Sequence, residues 1–146
     1  MANERHVRDV MTRNPECVTE KDSIREVAQI MKDADTGVVP VVDGRKIIGM
    51  VTDRDIVVRC IAEGKNPLEA RVNEVMTKSV RKVQEDATIN DVIGLMSSSE
   101  IRRVPVVNRN DEIVGIVSMG DVAEKTDNKG KVGQAMESIS QAPPNN

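Results

Sequence analysis

Ile24, Val27, Ala28 and Met31 stand at i, i+3, i+4 and i+7, which puts them on one face of an amphipathic helix. Ser23, followed three residues later by Glu26, supplies a capping box at its start. A short strand is predicted just before it, around Cys17–Thr19. After it comes Val39-Pro40-Val41-Val42, a brief apolar strand whose proline suits a strand start or an edge. Asp43-Gly44 signals a turn, and Ile47–Val51 reads as the returning strand. A second helix starts at Thr52. The predicted unit is β-α-β-β-α.

The chain writes this unit twice. At an offset of 65 residues, Val7, Val10, Met11 and Thr12 meet Val72, Val75, Met76 and Thr77, and the helical set meets Ile89, Val92, Ile93 and Met96. Val-Pro-Val-Val recurs at Val104–Val107, and Thr88 with Asp91 echoes the capping box with a shorter acid. One extra residue enters within Asn108–Glu112, after which Ile47, Gly49, Val51 and Asp55 meet Ile113, Gly115, Val117 and Asp121. A single gap over so long a match marks an internal duplication. A β-α-β-β-α unit leaves an apolar sheet face too small to stand alone, so the fold class expected is α/β of the α+β kind, two such repeats packed about a pseudo-twofold axis.

Composition narrows the function. The chain of 146 residues has no Phe, Trp or Tyr, so core and ligand walls alike must be aliphatic. A net charge of -3 with both signs mixed argues against nucleic-acid binding, which asks for a basic face and stacking platforms. No apolar run approaches the ~20 residues of a membrane span, and no signal-peptide pattern stands at the start, so the cytoplasm is the expected location. Cys17 and Cys60 occupy non-equivalent places without CxxC spacing and read as a reduced pair. His6, the one histidine, supports neither a zinc site nor a Ser-His-Asp triad. With no phosphate-binding Gly-rich loop either, an enzyme is not expected.

Two constellations carry candidate chemistry. Thr52-Asp53-Arg54-Asp55 and Ser118-Met119-Gly120-Asp121 each place a hydroxyl three residues before an aspartate, where a strand runs into a helix. The pattern caps a helix without any ligand; equally, the carboxylate of Asp55 or Asp121 can accept both hydrogen bonds of a ribose diol. Arg102 and Arg103 precede the second-copy strand, where guanidinium forks suit phosphate or simply meet solvent. The first copy has Gly37 and Val38 there, so the two sites are chemically unequal, and the arginine-bearing one should prefer a phosphorylated ligand. Arg54 can lend a cation to the first junction.

The duplicated plan, the VPVV strands and the G-h-V-[TS]-x-x-D junctions resemble a tandem pair of cystathionine beta-synthase (CBS) domains, the Bateman module, over residues 7–125. The resemblance implies a regulatory module that takes AMP, ADP, ATP or S-adenosylmethionine in clefts between the repeats, with no required cofactor. It implies that Asp55 and Asp121 hold ribose, that Thr52 and Ser118 lie near ribose or phosphate, and that Val18, Thr19, Arg81 and Val83 in the first strands flank the adenine. Val38 and Ile101 add packing, and Pro40 and Pro105 complete the strand entries. It also implies a homodimer, through the Val57–Ile61 and Val122–Lys125 helices, and a regulated protein the sequence does not name. A scaffold used for stress response or protein interaction, binding no nucleotide, is the alternative. The expected division is residues 1–62 for the first repeat with its arm, 63–71 for a linker, 72–125 for the second repeat and 126–146 for a mobile polar tail with a short helix near Val132–Ser138.

Overall fold

In a computed structural model, which describes residues 5–125 and 129–140, both repeats form the mixed helix and strand elements of an α+β fold. The chain groups into two compact units.

In the unit of residues 15–80, α1 spans Ile24–Ala34. Its start makes the serine half of the capping pattern: Ser23 Oγ accepts the Glu26 N–H at 3.2 Å. β2 (Val38–Asp43) and β3 (Lys46–Thr52) form an antiparallel hairpin with Val39 opposite Val51. The hairpin turns at Gly44, whose φ of +66° is left-handed backbone that glycine adopts without strain. The strand expected at Cys17–Thr19 shrinks to a parallel bridge from Val18 to Val41, and Thr19 is exposed. β3 runs into α2 (Asp53–Asp55), which continues as a π-helical stretch, Ile56–Ile61.

In the other unit, β1 (Thr12–Arg13), β6 (Ile113–Ser118), β5 (Arg103–Val107) and β4 (Val83–Gln84) form one sheet in the order β1-β6-β5-β4, only the β4–β5 pair being parallel. β4 starts at Val83, so Arg81 precedes the strand expected to include it and is exposed. α3 (Ile89–Ser99) has the complete capping box, Thr88 and Asp91 exchanging bonds at 3.1 Å each. α4 (Met119–Lys125) follows β6 directly.

The units do not coincide with the sequence division. Residues 5–14 join those from 81 onward, and the stretch 63–80 joins the first repeat. Two equivalent arms, Val7–Thr12 and Val72–Thr77, could cover either sheet. The second follows α2 closely enough to fold back on its own repeat: Val72 and Val75 are fully buried with Ile24, Val27, Val39 and Val51. Each such side chain removed from water contributes about 1.5–3 kcal/mol before the cost of ordering it. The N-terminal arm is left to close the second repeat, where Val7 N–H bonds the Ala87 carbonyl at 2.8 Å and Val7 and Val10 enter the core.

The crossing arms account for the glycine repeated in GMV and GIV. A Cβ on Gly49 would stand 2.9 Å from the Thr77 carbonyl oxygen; one on Gly115 would stand 2.9 Å from that of Thr12 and meet the Met11 side chain as well. Neither contact can be relieved without moving backbone.

In the polar segment after residue 125, the short helix expected near Val132–Ser138 is present and longer than expected, and it is docked. It is α5 (Lys129–Ser140), with Val132, Ala135 and Ile139 buried against the second unit's core. Those three side chains at i, i+3 and i+7 are enough to dock a helix. Residues 126–128 and 141–146, the rest of the expected tail, lie outside the described residues.

Candidate functional site

Each unit gathers one strand entry and one strand-to-helix junction, by the same bond. Asp53 N–H donates to the Gly37 carbonyl at 3.0 Å; Met119 N–H donates to the Arg102 carbonyl at 2.8 Å. Both junctions are also capping boxes. Thr52 and Asp55 exchange bonds at 2.9 and 3.0 Å, Ser118 and Asp121 at 2.9 and 3.1 Å. The capping role is therefore real, and it uses one carboxylate oxygen of each aspartate.

The remaining oxygen separates the two. Asp55 is 8% exposed. The Thr77 hydroxyl, brought in by the arm, donates across both its oxygens at 3.3 Å, and Arg59 Nε approaches Oδ1 at 3.7 Å. The first junction's acid is thus already satisfied. Asp121 is half-buried, and among the described residues its Oδ1 has no partner. Thr12, the counterpart of Thr77, pairs with β6 in the equivalent register, opposite Ile116 as Thr77 is opposite Met50, but it is exposed and makes no bond to Asp121 among the described residues.

A second difference lies one residue into each helix. The first helix-start amides lack partners inside a helix. At the first junction the Asp53 carboxylate accepts the Arg54 N–H at 2.9 Å, which leaves a negative charge beside that amide. At the second, Met119 replaces Asp53 and carries no acceptor, so the equivalent Gly120 N–H is uncapped among the described residues. The exposed Arg102 side chain, likewise without a partner there, stands with that amide on the wall of a cavity of about 320 Å³. Met119, Met136 and Ile139 form the rest of the wall. A cation and a free amide on one wall suit a phosphate; Asp121 follows Gly120 in the chain and is not itself part of that wall.

Other candidates are placed as follows. Arg103 opens β5 half-buried with bonds of its own. Ile101 is half-buried beside it. Arg54 is exposed. Val38, Pro40 and Pro105 are buried within their strands, as core. Val18 is buried in the first unit and Val83 half-buried in the second. Sequence reasoning missed Thr77, Met136 and Ile139, whose roles depend on contacts far along the chain. The exchange of Asp53 for Met119, however, is visible in the aligned copies. Burial pushes the Cys17 thiol up, with neighbouring Glu16 adding to it; a raised thiol is a poor nucleophile. Among the described residues no cluster of His, Cys, Asp or Glu can hold a metal ion, and no helix is long and apolar enough to cross a membrane.

Comparison with known proteins matches this geometry to others. The family model "CBS domain" matches twice, at residues 7–61 and 72–127. The uncharacterized protein YlbB of Bacillus subtilis is 39% identical over 92% of this chain and 91% of its own length. Hypoxic response protein 1 of Mycobacterium tuberculosis is 36% identical over 80% and 81%. Among solved structures, the CBS domain pair of protein MJ0100 in complex with 5-methylthioadenosine and S-adenosyl-L-methionine superposes with a TM-score of 0.75 at 30% identity, covering 83% of this chain and 94% of that one. CBSX2 in complex with AMP gives 0.70 at 25% identity, covering 82% and 93%. With both repeats matched and most of its length shared, this chain belongs to the CBS-domain family as a tandem pair.

Proposed function

We propose that the chain is a non-enzymatic regulatory module that binds an adenosine phosphate, AMP or a close relative, at the Ser118–Asp121 junction. Asp121 Oδ1 accepts from the ribose diol, the Ser118 hydroxyl lies alongside, and Arg102 with the Gly120 amide takes the phosphate. The observation that carries this reading is the inequality of the two junctions: Asp55 is occupied by Thr77 and Arg59, whereas Asp121 and Arg102 are open. The adenosyl ligands held by MJ0100 and CBSX2 support the ligand class. Calorimetric titration with AMP, ADP, ATP, adenosine and S-adenosylmethionine tests it. AMP binds more tightly than adenosine and raises the melting temperature by mass action, without turnover. No heat and no thermal shift with any of the five at millimolar concentration would replace this reading with that of a protein-interaction scaffold.

The module acts as a homodimer. Val57, Val58 and Ile61 along the helix after Asp55 are 59%, 42% and 53% exposed, an aliphatic row unusual on a monomer surface. At the corresponding end of the second repeat, α4 is packed by α5 of the same chain; among the described residues no segment does that for the first, and a second copy supplies the cover. The double variant Val57→Asp, Ile61→Asp shifts the mass measured by light scattering from dimer to monomer. A wild-type chain already monomeric at micromolar concentration rules the dimer out.

A further inference from the structure

Helix α5 lies beyond both segments matched to the family, which end at residues 61 and 127, yet it builds part of the cavity beside Arg102. Ile139, 6% exposed, and Met136, 49% exposed, face Met119, Gly120 and Arg102 across that space. The helix packs mainly on α3 and, to a lesser extent, on α4. Val132, Ala135 and Ile139 are its buried side chains, and the Ser97 and Ser138 hydroxyls meet at 3.5 Å. Against this stands the entropy of ordering twelve residues, four of them the helix-weakening Gly130, Gly133, Ser138 and Ser140. A terminal helix of this kind can undock locally without unfolding the rest of its unit, and an added contact shifts that equilibrium toward the docked state.

We infer that α5 is the element through which ligand occupancy is reported: a phosphate ester seated on Arg102 and the Gly120 amide fills the cavity, touches Met136 and holds α5 in its docked position. This rests on the proposed adenosine-phosphate site. The coupling is reciprocal, so whatever factor by which the ligand favours docking, docking favours the ligand equally. The surface the undocked helix would leave lies on α3 and α4, against which it packs within one apolar cluster; ligand loss therefore exposes an apolar face there.

Hydrogen exchange across residues 132–140 of the full chain, with and without saturating AMP, reads the coupling directly. AMP slows exchange there by about fivefold or more, and Met136→Ala, a change at a half-exposed position, weakens AMP by about three- to tenfold, the two linked as reciprocity requires. AMP that binds with α5 exchange unchanged, or faster, overturns the inference while leaving the binding site standing. AMP that does not bind the wild-type chain at all overturns both.

Discussion

Arg102→Ala lowers the affinity for AMP by about 10- to 100-fold and leaves that for adenosine within about twofold, because a hydrogen bond to a charged group contributes roughly 1.5–3 kcal/mol and each 1.4 kcal/mol is a decade. The guanidinium is exposed on the cavity wall, with no partner among the described residues. Removing it therefore breaks no internal bond, and the loss falls on the phosphate alone. Arg103 is the control. It begins β5 half-buried and already bonded, so its replacement by alanine shows in stability before it shows in ligand preference. Parallel calorimetric titrations of AMP and adenosine separate the outcomes. If both ligands weaken equally in the Arg102 variant, the arginine shapes the site and does not hold phosphate.

The two junction aspartates give opposite results. Asp55→Ala destabilises the protein by about 2–3 kcal/mol, the sum of a lost cap near 1 kcal/mol and a part-buried hydroxyl left without its acceptor. The groups stranded are the Thr52 N–H and the Thr77 hydroxyl; the half-exposed Arg59 adds little. AMP affinity stays near wild type. Asp121→Ala removes only the cap bond at Ser118, costing about 1 kcal/mol, but it weakens both AMP and adenosine at least tenfold by removing the acceptor for the diol. Denaturant titration with an unchanged slope reports the stability half, and calorimetry reports the other. A stable Asp55 variant that has lost AMP would move the ligand to the first junction.

Much of this was legible before any coordinates. The VPVV strands, the helix at Ile24 and both strand-to-helix junctions follow from periodicity and capping chemistry, which act over a few residues. The inequality of Gly37 and Arg102 is visible once the copies are aligned. The arm exchange is not, because Val7–Thr12 and Val72–Thr77 are nearly the same sequence and fit either sheet equally well. The engagement of Asp55 depends on Thr77, twenty-two residues away, and no local pattern announces it. Within Lys129–Ser140 the sequence suggests only a short helix in a polar tail, because its glycines and serines are weak helix formers. Three buried side chains against α3 and α4 decide otherwise, a tertiary effect overriding propensity.

The exchanged arms also set an order of assembly. Everything the unit of residues 15–80 needs is contiguous, so it can close while later codons are still being read, chains being made from the N-terminus at roughly 5–20 residues per second. The other unit must wait for Arg81 onward, although one piece of it, residues 5–14, was made before the unit of residues 15–80. Val7 reaches Ala87 only across the whole of residues 15–80 in the chain, and the prior folding of that unit shortens the span to be closed. An arm made before either unit is complete is thus among the last segments to find its place.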